Sequence, residues 1–318
     1  MTSALLLIVG GVLLYVGGEA LVKGASRLAL RVGLSPLAVG LTVVACGTSA
    51  PELIVCVQAA FGGHDDVAVG NVVGSNIANV GLILGVTALI RPIATKGRLL
   101  LVDVPLMIAA EIAAIACVRN GTVGRYEGIA LAATLAVYIA ANFVRAMRKP
   151  GDGADLEIVD IEEVAGKKAS GSTPVDLVLI GVGIAALVFG GKWFVDGAIG
   201  IATSLGVPDA VVALTVVAFG TSLPELAASA VAAVRGKGDL AVGNVVGSNL
   251  FNSLGVLGVT AAVRPVASAG ISTFDTTTML ALAIALWPMM ASRRRLGRFE
   301  AGTLLLVYAG YVGFLFVK

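Results

Sequence analysis

The sequence predicts an all-α integral membrane protein: ten transmembrane helices forming two inverted five-helix repeats, with helices 2 and 7 broken. Three observations carry that reading. The 318 residues are 58% hydrophobic and only 13% charged, with a mean hydropathy of +0.97, far from a soluble profile. Ten apolar stretches approach the ~20 residues that cross a bilayer as a helix. The two sets of five repeat one another at a constant offset. LTVVACGTSAPEL (41–53) returns as LTVVAFGTSLPEL (214–226), and AVGNVVGSN (68–76) returns unchanged at 241–249. Glu52 and Glu225 stand 173 positions apart, as do Asn71 and Asn244, Arg91 and Arg264, and Arg125 and Arg298.

In chain order the spans fall near 4–26, 36–60, 67–90, 99–118 and 127–146, then 175–200, 209–233, 240–263, 272–291 and 300–317. Residues 1–149 are thus the first repeat, 150–174 a linker and 175–318 the second repeat. The first apolar stretch has no basic run before it and no small-residue cleavage site, and reads as a retained span, not a signal peptide. Five spans is an odd number, so the second copy sits upside down relative to the first, the duplication found in many secondary transporters. With the N-terminus outside, sixteen loop lysines and arginines face inward and four outward. That bias predicts both termini outside and a cytoplasmic linker, in a multi-pass protein of the cell (inner) membrane. The linker is short, polar and acidic, including Asp160, Glu162 and Glu163, and reads as a connector.

The most faithful part of the repeat is polar, whereas drift of a duplicated core would preserve only apolar pattern. Glu52 lies about 24 Å along its span at 1.5 Å per residue, well inside the membrane. A charged carboxylate there costs several kcal/mol unless it is paired or wetted. Pro51, with no N–H, and Gly47 predict a break in the helix at that point. The carbonyls around Ala45 to Thr48 then turn toward a cavity, and Glu52 opens a second half-helix whose positive end favours its charge. Carbonyls, hydroxyls and a carboxylate make a hard-oxygen cage suited to Ca²⁺ or Na⁺. The second copy supplies Ala218, Thr221, Ser222, Pro224 and Glu225 from the opposite direction. A single copy could be a proline kink with a paired acid; two inverted copies favour a site.

The next span of each repeat adds Asn71, Ser75 and Asn79, four apart and so on one helix face, with counterparts Asn244, Ser248 and Asn252. For Asn71 and Asn244, helix-to-helix hydrogen bonding is as good a reading as ion binding; for Ser75, Asn79, Ser248 and Asn252, ligation or support of the ligands is the better one. Gly70 and Gly74, with Gly243 and Gly247, form small-residue seams for close helix approach. Other features carry less. Glu19 and Lys23 are spaced to pair on one helix face. Cys46, Cys56 and Cys117 have no metal-ligand spacing and read as small packing residues. His64 has no assigned role, and Glu111 stands alone in the fourth span without an explanation. The scattered basic residues exclude a nucleic-acid partner, nothing calls for a cofactor or an obligatory protein partner, and no hydrolase elbow or zinc-protease motif points to an enzyme.

Paired GTSxPE segments, each followed by GNxxGSN, resemble the two alpha-repeats of the sodium/calcium exchanger family in its compact prokaryotic form, over essentially the full length. The resemblance implies an antiporter with one Ca²⁺ and three Na⁺ sites at mid-membrane, occupied alternately. It implies Ca²⁺ held by Glu52, Glu225 and the carbonyls of Thr48 and Thr221. Sodium would use those glutamates with Ala45, Ser49 and Ser75 and with Ala218, Ser222 and Ser248, while Asn79 and Asn252 line the centre. The first and sixth spans would slide as a gate over a static core. The potassium-dependent branch carries an aspartate where this chain has Asn252, which argues against potassium co-transport. A Ca²⁺/H⁺ antiporter using the same glutamates is the nearest alternative, and a cation channel a distant one, since channel filters usually need a ring from several subunits.

Overall fold

The computed structural model describes residues 2–32, 35–95, 97–148, 172–205 and 220–317. Because hydrocarbon offers no partner for backbone N–H and C=O groups, apolar segments close their hydrogen bonds internally as helices. The first half contains α1 (Thr2–Val32), α2 (Leu37–Thr48), α3 (Ala50–Phe61), α4 (Asp65–Ile90), α5 (Leu99–Arg119) and α6 (Arg125–Arg148). The second contains α7 (Thr173–Ser204), α8 (Leu223–Val234), α9 (Gly238–Val263), α10 (Thr273–Ser292) and α11 (Arg298–Val317). Among the described residues, α1, α4, α5, α7, α9 and α10 are long and apolar enough to cross a membrane, and α2 with α3 forms one bent span. The opening half of the span expected at 209–233 and most of the 150–174 linker lie outside the described residues.

The break expected in the second span is present. Helices α2 and α3 meet at 42°, with Ser49 out of helical geometry (φ −87°, ψ 7°) and Pro51 in the first turn of α3. The seventh span repeats this: Ser222 has φ −90° and ψ 6°, and Pro224 lies in the first turn of α8. Proline in a first helical turn costs nothing, because its missing N–H would have no partner there. Further wide turns interrupt α4 at Asn79–Leu84 and α9 at Phe251–Val256. Such π-turns cluster at functional sites, because they displace side chains and carbonyls from the regular ladder.

Two ladders of two residues each qualify the all-helical expectation. β1 (Ile93–Ala94) pairs antiparallel with β4 (Arg295–Leu296), and β2 (Thr122–Val123) with β3 (Val266–Ala267). The register is exchange-symmetric. Ile93 faces Leu296 and Val123 faces Val266, so a shift of 173 residues converts either pair into the other. Hydropathy does not reveal such short strands.

Packing divides the molecule in two. One core joins α4, α5, α9 and α10 through residues such as Ile77, Ile83, Met107, Leu250 and Leu286. A second joins α1 and α7 to α2 and α8 through Leu21, Val22, Leu187, Leu223 and Val231. Helices α1 and α7 run antiparallel, in backbone contact along glycines that recur every seven residues: Gly10, Gly17 and Gly24 on one, Gly183, Gly190 and Gly197 on the other. A Cβ at Gly17 would meet the Gly183 carbonyl oxygen and the Leu187 nitrogen at 2.9 Å. At one end of the seam Arg31 Nε donates to Asp176 Oδ2 at 2.5 Å. Glu19, expected to pair with Lys23, instead accepts from Arg235 Nε on the neighbouring repeat at 2.7 Å.

Overpacking a backbone-to-backbone contact costs about 1–3 kcal/mol. Gly17→Val should therefore lower the unfolding temperature in detergent, whereas Gly302→Ala, with nothing within 4 Å of the added carbon, should raise it slightly, since helical Gly is about 0.5–1 kcal/mol worse than Ala.

Candidate functional site

The two broken spans aim their interruptions at the same point. Glu52 lies in the first turn of α3 and Glu225 in the first turn of α8, both about 1% exposed. Each carboxylate therefore stands at the positive end of a half-helix, the placement that favours its charge. Ser49 Oγ, at the first break, donates to Glu225 Oε1 at 2.9 Å, crossing from one repeat to the other. Ser222 Oγ, at the second break, reaches Ser75 Oγ at 3.4 Å.

The motif asparagines brace this centre in a symmetric pattern. Thr48 Oγ1 donates to Asn244 Oδ1 at 3.2 Å, and its counterpart Thr221 Oγ1 donates to Asn71 Oδ1 at 3.3 Å. Asn244 Nδ2 donates to Ser229 Oγ at 3.0 Å, and Asn71 Nδ2 to Cys56 Sγ at 3.3 Å. Residues 56 and 229 are themselves repeat equivalents. Cys56 is thus more than packing: it holds an asparagine that in turn orients a threonine of the opposite repeat. The signal was in the offset, which sets a small polar side chain at both positions.

Several buried atoms accept or donate no hydrogen bond among the described residues: Glu52 Oε2, Glu225 Oε2, Ser248 Oγ, Asn79 Oδ1 and both amide atoms of Asn252. Buried polar groups are normally satisfied. These atoms belong to the two broken spans and to α4 and α9, so both repeats contribute unpartnered oxygens to the region between them. Two carboxylates with neutral oxygens suit a hard cation.

One sequence expectation fails in detail. The Ala45 carbonyl keeps its helical donor, Ser49 N at 2.9 Å, because Ser49, where the chain leaves the helix, still closes the last turn with its N–H. The carbonyl deprived of its donor by Pro51 is that of Gly47. Ala218 falls outside the described residues. Over both breaks lies α7: a Cβ on Gly47 would strike Ile184, and one on Gly220 would strike Val195.

This arrangement has known relatives. A family model described as sodium/calcium exchanger protein matches residues 2–144 and 175–317. The chain belongs to the sodium/calcium exchanger family. Within it, the exchanger is 36% identical over 274 residues to a putative antiporter, CaxA, of Alkalimonas amylolytica, covering 85% of each chain. It is 32% identical over 300 residues to the sodium/calcium exchanger MaX1 of Methanosarcina acetivorans, covering 85% of this chain and 86% of that one. Its fold matches the sodium-calcium exchanger NCX_Mj soaked with zero Na⁺ and Ca²⁺, with a TM-score of 0.84 at 28% identity over 98% of each chain. The exchanger is accordingly a multi-pass membrane protein of compact prokaryotic type.

The Cys56 contact yields a direct prediction. Cys56→Ser supplies the hydroxyl acceptor already used at Ser229 and should leave Ca²⁺ flux within about twofold. Cys56→Val strands the Asn71 amide at a cost of about 1–3 kcal/mol, and should lower both flux and melting temperature. Vesicle ⁴⁵Ca²⁺ flux and thermal unfolding of the two variants check this.

Proposed function

We propose that the exchanger moves Ca²⁺ against Na⁺ by alternating access, the two ions competing for the oxygens around Glu52 and Glu225. The observation that carries this is the pair of buried glutamates, each at the start of a half-helix and each with an unpartnered oxygen. Two carboxylates bring about −2, which one Ca²⁺ neutralises. Ca²⁺ favours six to eight oxygens; Glu52 and Glu225 with the carbonyls of Thr48 and Thr221 would begin that shell.

Sodium carries half the charge and must spread over several sites drawing on the same atoms. Ser49, Ser75, Ser222 and Ser248, the Ala218 carbonyl, the amides of Asn79 and Asn252, and the Ala45 carbonyl through the lone pair that Ser49 N leaves free extend the set of oxygens for that purpose. Occupation by one ion therefore excludes the other. A loaded site is neutral enough to be carried past the gate, whereas an empty one leaves two acids uncompensated in low dielectric. Such competition makes the protein a carrier, not an enzyme or an open pore.

Ten spans in two inverted repeats provide the two access states. The strand register supports inversion. β1 follows the third span and pairs with β4, which follows the ninth, an even number of crossings away. A parallel duplication would bring β1 beside β3. Inverted halves make the inward- and outward-open forms near mirror images. Helices α1 and α7, joined along their glycine seam, with α7 lying over both breaks, are the moving gate. With the termini outside and the linker cytoplasmic, the inner-membrane sodium gradient would drive Ca²⁺ outward.

Uptake of ⁴⁵Ca²⁺ into proteoliposomes tests this. Uptake should require internal Na⁺, ignore internal K⁺, and fall to the level of protein-free vesicles in Glu52→Gln and Glu225→Gln. Uptake driven by a pH gradient without Na⁺ would reassign the same site to Ca²⁺/H⁺ exchange, and flux needing no counter-ion would overturn the antiporter.

A further inference from the structure

A third buried carboxylate lies one residue removed from the ion site. Glu111 of α5 is fully buried, while its repeat equivalent, Ile284, is 48% exposed, so the acid is a feature of one repeat only. Glu111 Oε1 accepts from Asn249 Nδ2 at 3.0 Å. Asn249 Oδ1 in turn accepts from Asn79 Nδ2 at 3.0 Å. Asn79 Oδ1 has no partner among the described residues.

An amide donates from its nitrogen and accepts at its oxygen, so fixing one end fixes the other. The carboxyl oxygen of Glu111, at 3.0 Å, selects the NH₂ end of Asn249 more strongly than the Asn76 backbone carbonyl, which accepts from the same nitrogen at 3.4 Å. The Asn249 side-chain carbonyl then faces Asn79 and engages that residue's NH₂, and the group left over is the Asn79 carbonyl. The opposite repeat lacks this chain. The equivalent bond would run from Asn252 to Asn76, but Asn76 Nδ2 donates to Ser253 Oγ at 2.8 Å. Asn76 Oδ1 and both amide atoms of Asn252 stay unpartnered among the described residues.

We infer that Glu111 is a positioning residue: acting through Asn249, it holds the Asn79 carbonyl in place as a cation ligand and makes the two central asparagines unequal. This rests on the reading of Asn79 and Asn252 as lining the ion site. Asn79 is the fixed oxygen, and Asn252 the one that turns to suit whichever ion is bound. A ligand held before binding loses less freedom on binding, and partners that orient metal ligands typically contribute 10–100-fold in affinity.

Equilibrium ⁴⁵Ca²⁺ binding to the purified full-length exchanger in detergent tests the relay without needing counter-transport. Glu111→Leu, which has no acceptor, should weaken Ca²⁺ binding roughly 10–100-fold, while Glu111→Gln, which keeps an acceptor oxygen, should restore it to within about threefold of the unsubstituted protein. Asn249→Leu removes the middle of the relay and should reproduce the loss, which keeps the test open if Glu111→Leu fails to fold. In an Asn79→Ser background, where a freely rotating hydroxyl replaces the amide, Glu111→Leu should have no further effect; in Asn252→Ala its full effect should persist. Equal losses in both backgrounds, or no loss at all, would overturn the proposal while leaving the site assignment standing. An unsubstituted exchanger that binds no Ca²⁺ would overturn both.

Discussion

Two carboxylates buried among the helices of a membrane protein constrain everything else in this molecule. An isolated acid at that depth costs several kcal/mol, and the fold answers with half-helix ends, not with buried arginines or lysines. Glu52 and Glu225 each begin a helix after a break, so oriented backbone dipoles supply part of the compensation. That compensation is incomplete by construction. An arginine partner would neutralise the site permanently, whereas dipoles and a serine hydroxyl leave the remaining charge to be met by cargo. In the proposed mechanism an ion must complete the site, which sets it apart from a structural ion pair.

The breaks, wide turns and glycines follow from that constraint. A straight helix would hide its carbonyls in its own ladder, so proline and a non-helical serine interrupt α2–α3, and the same pair recurs before α8. The wide turns starting at Asn79 and Phe251 perform the same service on the crossing helices. Thr48 and Thr221 each reach into the opposite repeat to an asparagine, so neither half can organise the site alone. The α1–α7 pair is built differently. Its seam presents backbone instead of interdigitated side chains, and it packs in a hydrophobic cluster separate from the main core. A body so joined suits the gate of the proposed mechanism, because its packing is separate from that of the proposed ligands.

Most of this was legible because duplication wrote it twice. The constant offset separated Glu52, Thr48, Ser49 and Asn71 from ordinary polar residues of a membrane helix, since chance would not place each again 173 residues later. Where the structure describes the helices, most of their limits fall within a few residues of the expected ones, for the same physical reason that helices form at all in lipid. Single-copy features did not register. Glu111 has no repeat partner, and its link to Asn249 depends on how α5 packs against α9. The Glu19–Arg235 pair spans two repeats, and spacing on one helix pointed instead to Lys23. The two-residue ladders are too short for any periodicity to declare. The Ala45 carbonyl was misjudged because the proline releases the carbonyl four residues before it, which belongs to Gly47, while Ala45 keeps Ser49 N as its donor.

In the proposed mechanism two kinds of ion share one set of oxygens. Calorimetric titration of the purified exchanger with Ca²⁺ at increasing fixed Na⁺, with choline holding ionic strength constant, tests it most directly. Shared oxygens require the apparent Ca²⁺ dissociation constant to rise without a plateau, with a slope above one against Na⁺ on logarithmic axes, because more than one sodium must leave before Ca²⁺ enters. A dissociation constant that levels off at high Na⁺, or never responds to it, would mean separate sites and rule out shared oxygens.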